Sequence, residues 1–330
     1  MAFMFGEFTG RGVLNLLSDN DLSAMVMKRK ILAGEVVHTY QRTVSGFNIF
    51  YEVEDYLIFY TIFSVLSKRY GVIVYGLCLM IDHVHSLVSV QSLKHLSTFM
   101  NEVAKFFVSE YNKEHHRSGP LFCKSYGSAL KLGMKLIRTA ISYLYNNPVE
   151  RKLFRYAQEY RWNFLAYGRS PNPFSEPLVI RNASRQLRRC LQEVDGTHVR
   201  HRPLSYAQMK RMFYKLDKKE KSQLVDYIII RYSVIRYDLL TTVYYDGYEN
   251  MLLAINSNAG SEYEIKEDKW MRSDAEYRKL YKYVHDKNYD SSGDVISASV
   301  EIKMELLKGM LVETGVPRFQ ICKYLHLVLP

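Results

Sequence analysis

Four cysteines in 330 residues, none of them in a CxxC pair, leave nothing from which to build a zinc ribbon or a disulfide framework. Cys78, Cys123, Cys190 and Cys322 are expected as free thiols, and a reducing cytoplasm suits them. Apolar runs approaching the ~18–20 residues needed to cross a bilayer are absent, so no membrane partner is expected. The first twenty residues lack a basic start followed by an apolar run and a small-residue cleavage site, so no export signal is read there. Proline is scarce: the chain has eight, and three of them, Pro171, Pro173 and Pro177, fall within seven positions. Neither a helix nor a central strand continues through such a stretch, so 171–177 reads as a linker. Acidic residues are outnumbered, 34 Asp and Glu against 45 Lys and Arg, for a formal charge of +11. That excess favours a polyanionic partner, nucleic acid first among them. With 48% apolar residues the chain has the means to bury a core, which excludes a disordered polyelectrolyte.

Ahead of the linker, strand and helix patterns alternate. Val36 to Thr43 is rich in β-branched residues and reads as a strand. Tyr51 to Tyr70 carries apolar residues at helical spacing. Val72–Met80 and His83–Val90 are strands joined by a two-residue turn at Ile81-Asp82. Leu93 to His115 is helical, with Phe99, Val103, Phe106 and Phe107 to one side, and Ser118-Gly119-Pro120 ends it. Lys124 to Lys131 can form a strand, and Met134 to Asn146 a helix that stops at Asn147-Pro148. This order predicts an α+β domain, an antiparallel sheet with helices on one face.

Two short constellations in that domain can carry chemistry. His83-Val84-His85 places two imidazoles at i and i+2 of a strand, hence on one face, where they can grip one metal ion or simply lie at the surface. In Tyr143-Leu144-Tyr145-Asn146-Asn147-Pro148-Val149, Tyr143 and Asn147 are four apart and share a helix face. The tyrosine can present its hydroxyl to a phosphate and the asparagine its carboxamide oxygen to a cation. The bland alternative is an ordinary helix end, with tyrosine as packing and asparagine as cap. Tyr145, two residues on, faces elsewhere and has Val149 one turn later.

Taken together and in order, these pieces resemble the HUH single-tyrosine transposases, and most closely the REP-associated tyrosine transposases. Tyr75 to His85 looks like the family's strand–turn–strand with His-hydrophobic-His. Ser118 to Phe122 looks like its glycine-proline turn, Tyr143 to Val149 like its tyrosine segment ending in Asn-Pro-Val, and Tyr160-Arg161-Trp162-Asn163 like the aromatic segment that closes the domain. Val37 to Thr43 sits where the family has its first strand. The likeness covers about residues 30–170. Asp82 stands where asparagine is common, and Glu150-Arg151-Lys152 replaces small residues. The resemblance implies that His83, His85 and Asn147 hold one divalent cation, Mg or Mn, and that Tyr143 attacks a phosphorus of single-stranded DNA, a hairpin or repeat, to give a 5′-phosphotyrosine. A replication or mobilisation nickase of the HUH class and a non-catalytic DNA-binding regulator derived from a transposase are the alternatives. The oligomer is read as monomer or homodimer.

After the linker the charge shifts. Arg181 to Asp238 holds fourteen Lys or Arg against six Asp or Glu. Leu224, Ile228, Tyr232 and Ile235 form a helical stripe there, while Asn256–Ala259 and Asp290–Gly293 read as loops. From Glu301 to Leu327 two helical patterns flank Thr314-Gly315-Val316, resembling a helix-turn-helix or, equally, a plain helical hairpin. The chain is thus divided into an extension (1–29), a catalytic domain (30–170), the linker (171–177) and a basic, mainly helical DNA-binding domain (178–330). Arg318, Gln320 and Lys323 are expected at a duplex major groove, and Lys218 and Lys219 on phosphates. His115-His116 and His198-x-x-His201 lack a third ligand at suitable spacing and are expected to be solvated or phosphate-facing. Most of the 27 tyrosines are expected as packing.

Overall fold

In the computed structural model, which describes residues 31–328 apart from 246, 258–273 and 290, the alternating segments before the linker become one antiparallel sheet. Its strands are β1 (Val36–Arg42), β2 (Ile73–Met80), β3 (His83–Ser89) and β4 (Gly127–Lys131), in the order β2-β3-β1-β4. The Ile81-Asp82 turn fixes the β2–β3 register, with Met80 opposite His83 and Cys78 opposite His85. β1 then lies antiparallel to β3, pairing Tyr40 with His85 and Arg42 with His83.

Period-two alternation divides the sheet into two faces. Gln41, Val84 and Ser86 face α1 (Val53–Arg69) and α2 (Leu93–Glu114), meeting Phe59, Phe63, Met100 and Val103. The hydroxyls of Thr39 and Ser86 pair across the strands on this face at 2.6 Å. The opposite face carries His38, Tyr40, His83 and His85 and is crossed by α3 (Gly133–Glu150), whose Leu144 and Tyr145 side chains approach Gly76 of β2. The antiparallel sheet with helices is the fold class expected, but the helices, expected on one face, cover both: α1 and α2 pack on one and α3 on the other. Gly127 of β4 is required by contact: a Cβ there would lie 2.0 Å from the Tyr40 ring.

The helix expected to stop at Asn147-Pro148 instead continues to Glu150. Proline removes one backbone donor near the C-terminus, and the last turn closes around it through Arg151 N to Asn147 O at 3.0 Å and Leu153 N to Pro148 O at 2.9 Å.

The rest of the described chain is helical, comprising α4 (Arg185–Val199), α5 (Tyr206–Phe213), α6 (Lys218–Arg231), α7 (Tyr237–Thr242), α8 (Tyr248–Ser257), α9 (Tyr277–Asp286), α10 (Ser292–Ser297), α11 (Val300–Thr314) and α12 (Arg318–Leu325). Ser292-Gly293, expected in a loop, begins α10 because Ser291 and Asp294 form a reciprocal capping box. One apolar cluster runs unbroken from Val36 to Ile255, through both sides of residues 171–177. Tyr60 of α1 donates to the Ile229 carbonyl of α6 at 3.0 Å. The proline-rich stretch is fastened to α6 by the fully buried Asp226, which accepts from Ser175 Oγ at 2.9 Å and Phe174 N at 3.2 Å, as well as from Tyr167 at 2.6 Å. The open edge of β2 is closed where Arg236 N donates to Val74 O at 2.8 Å, leaving less bare edge for another chain to pair with. A second apolar cluster joins α9, α11 and α12, with Tyr51 and Ile81 packed against it. Tyr51 donates to the Tyr324 carbonyl at 2.7 Å, and the His326 ring bonds the Asn48 carbonyl at 2.6 Å. No helix among the described residues is long and apolar enough to cross a membrane.

Candidate active site

The α3 face of the sheet gathers His83, His85 and Tyr143. The His83 and His85 rings stand perpendicular, with centroids 4.9 Å apart. The Tyr143 ring meets His85 edge-on at 5.5 Å. All three are buried, Tyr143 with 7% of its surface exposed. Asn147 lies one turn beyond Tyr143 and donates its amide nitrogen to the Tyr143 carbonyl at 2.9 Å, so ligation of a cation would fall to its oxygen. Tyr145 is fully buried, its hydroxyl lacking a hydrogen-bond partner among the described residues. Burial first, then the nearby Tyr248, Cys78 and Tyr244, hold its phenol well above the usual tyrosine range.

His83 Nδ1 lies 2.5 Å from Asp82 Oδ1. Burial alone would raise the Asp82 carboxyl, but the adjoining His83, with Arg151 and Lys323 farther off, outweighs it and keeps the carboxylate ionised. His83 thus donates through Nδ1. Its Nε2 is buried and has no hydrogen-bond partner among the described residues. A carboxylate behind one ring nitrogen and an unbonded nitrogen in front is the arrangement of a metal-ligating histidine. The residues present therefore fit a divalent cation. Among the described residues no three His, Cys, Asp or Glu side chains are gathered to hold one, so Asn147 or a bound phosphate must complete the set.

His38 was not singled out in the sequence, yet it is the neighbour of His85. Its Nε2 is 3.0 Å from His85 Nδ1, and the two rings stack 5.2 Å apart. Its ring also meets Tyr143 edge-on at 5.6 Å. Burial, then the charge of Lys131, lowers His38 to about 3, and burial with the neighbouring cations holds His85 well below the usual histidine range. Both imidazoles are neutral at pH 7. When His85 donates through Nδ1, His38 accepts and His85 Nε2 keeps its lone pair for a cation. Strand parity could have pointed to His38, since His38, Tyr40 and Arg42 alternate onto one face, but only the β1–β3 register reveals which histidine it meets. Arg42 and Arg151 bring positive charge towards His85, and Lys323 towards Asp82.

The residues expected at DNA are distributed differently from the sequence reading. Arg318 is exposed, and Lys323 is half-buried, with charge reaching Asp82. Gln320, expected to face a groove, is instead buried because α12 turns that side into the second cluster. Lys218 and Lys219 are exposed, the latter paired with Glu176 at 2.6 Å. His115, expected to be solvated, is buried and sits 3.3 Å from the Asp55 carboxylate. His198 lies 3.4 Å from Lys68.

Residues 36–147 match the family described as IS200-like transposases. A solved structure of a REP-associated tyrosine transposase bound to a REP hairpin aligns with 12% identity over 41% of this chain and 79% of that one, with a TM-score of 0.36. No curated protein matches the sequence. The matched segment contains the whole sheet, Tyr143 and both β3 histidines.

Proposed function

We propose that this protein cuts and rejoins single-stranded DNA through Tyr143. The observation that carries the reading is the meeting of the Tyr143 ring with His85 at 5.5 Å, beside His83 and on the same face of the sheet. His83, His85 and the Asn147 oxygen would hold a divalent cation, Mg or Mn, which when bound supplies Lewis-acid polarisation of the scissile phosphate. Arg42 and Arg151 add positive charge for the same phosphate. Tyr143 Oη attacks the phosphorus, forming a Tyr–O–P ester and breaking the P–O3′ bond. The phenolic proton passes to solvent, and the departing 3′-oxygen takes up a proton. In the reverse step a 3′-hydroxyl attacks the ester and releases Tyr143, so rejoining needs no ATP. The Tyr143 hydroxyl is buried, so entry of a strand requires its surroundings to open, and the geometry tightens with substrate bound. Burial of Tyr145 against β2 supports Tyr143 as the nucleophile. On this reading 178–330 adds DNA affinity, through Lys218 and Lys219 on phosphates and Arg318 on duplex.

The test is incubation of labelled single strands from the DNA flanking the gene with Mn²⁺, followed by a search for a covalent protein–DNA adduct. Tyr143→Phe removes one hydroxyl and should abolish the adduct while leaving DNA binding within about twofold. An adduct that persists in Tyr143→Phe and disappears in Tyr145→Phe would reassign the nucleophile.

A further inference from the structure

A cavity of about 570 Å³ opens between the catalytic sheet's β2–β3 turn and α9. Ile81 contributes to its wall, one residue from Asp82, which holds His83. Its walls are aromatic to an unusual degree. Tyr56 and Trp162 stack face to face at 4.3 Å, and Phe154, Tyr277 and Tyr281 also line the space. Four charged side chains depart from that apolar character. Glu159 accepts from the backbone of Arg155 and Tyr156, and Arg161 lies 3.4 Å from Asp226. Arg278 lies over the Phe154 ring at 5.3 Å and is exposed at the rim. Asp274 lines the wall with 4% of its surface exposed. Its Oδ1 is 3.6 Å from Arg151, and its Oδ2 has no hydrogen-bond partner among the described residues. A buried carboxylate oxygen left unbonded is costly, and a ligand that donates to it recovers the difference.

We propose that this cavity takes an unpaired nucleobase of the DNA strand, one that carries an exocyclic amino group. The proposal rests on the reading of the protein as a single-stranded DNA enzyme and names what part of the strand it grips. The chemistry is specific to that ligand. Flat π-faces stack on tyrosine and tryptophan irrespective of sequence. A carboxylate accepts from an amino group such as cytosine N4, and thymine has none to offer. Arg278 at the rim meets the phosphate that the base leaves outside. A volume of 570 Å³ falls in the range of small-ligand sites and has room for a base with part of its sugar. The part of the cavity from residues 274–281 and Tyr324 lies outside the family-matched segment 36–147, so this portion of the chain adds a base clamp beside the cutting site.

The experiment compares binding of the full chain to dC12 and dT12, and follows the fluorescence of a dT12 strand carrying one 2-aminopurine. The wild type should bind dC12 about tenfold tighter than dT12 and quench 2-aminopurine by stacking. Asp274→Asn should bring the two strands within about twofold, mainly by weakening dC12. Tyr281→Ala, at a partly exposed position, should weaken the 2-aminopurine strand about fivefold or more and restore its fluorescence. Competition by CMP against TMP on the wild type repeats the comparison without any variant. Equal binding of dC12 and dT12, a preference that survives Asp274→Asn, or fluorescence unchanged on binding each overturns the proposal. If these occur while the Mn²⁺-dependent adduct still forms, the clamp alone is wrong. If neither strand binds and no adduct forms, both readings are overturned.

Discussion

Removing His38 tests whether the third histidine of the sheet positions His85 or merely packs against it. In His38→Ala the imidazole that sits 3.0 Å from His85 Nδ1 is lost from a site with 1% exposure. A buried ring nitrogen left without its partner costs roughly 1–3 kcal/mol. Loss of the ring's packing adds to this, so a total near 3–5 kcal/mol is expected, a large share of an ordinary ~5–15 kcal/mol. Urea denaturation measures it. Stability alone does not separate the two roles, but the response to Mn²⁺ does. Loss of an outer partner typically weakens metal affinity ~10–100-fold. At a fixed, saturating Mn²⁺ concentration the metal-induced gain in stability should then shrink by about 1.4–2.7 kcal/mol relative to wild type. His38→Gln keeps an acceptor near His85 and should recover part of that gain even where packing remains poorer. A destabilised His38→Ala whose Mn²⁺-induced gain equals that of wild type would refute the positioning argument.

His83→Ala should lose the adduct and the stabilisation by Mn²⁺ together, read by gel and by thermal melts. Stability should fall on acidification: His38 and His326 are held down to about 3, so between pH ~6.5 and 3 the unfolded chain binds protons that the folded chain refuses. Each contributes about 1.4 kcal/mol per pH unit, fully present above pH ~6.5 and lost as pH falls, with His85 acting in the same direction. Asp274, raised to about 6 chiefly by burial, opposes one of them between its ordinary value and pH ~6, and urea midpoints at pH 7, 6 and 5 give the net slope. A chain truncated after Pro177 should aggregate or melt without a cooperative transition, because it uncovers the continuous apolar cluster around Tyr60 and Phe164; a sharp melt would show that the first part folds alone. Lys218→Ala with Lys219→Ala should weaken binding to all sequences alike and flatten the salt dependence by about 0.7 per lost phosphate contact on single strands, measured by titration at several salt concentrations.

The sheet and the His-Val-His and Tyr-to-Asn spacings were legible because each depends on residues within a few positions of one another. Strand parity and helical periodicity decide such local geometry. What remained hidden depends on pairing between distant segments. His38 meets His85 only through the β1–β3 register. Gln320 fits a groove-reading pattern on paper, but the side it occupies is the one α12 buries against α9 and α11. The run through Pro148 was misread because a proline near a helix end costs one hydrogen bond and not the whole turn. The base cavity joins Tyr56 to Tyr281 across more than two hundred residues, a juxtaposition no window of sequence contains.

The seating of α12 has a consequence for how such chains diverge. Its Lys323 sends positive charge into the Asp82–His83 pair, and its end is tied to Asn48 through His326. Exchanging this hairpin for a relative's would thus alter the electrostatic setting of the Asp82–His83 pair as well as the exposed surface that carries Arg318. On the proposed function, target choice and cutting would then be coupled through this contact, and grafting experiments that treat the C-terminal helices as an interchangeable head should yield chimaeras impaired in both.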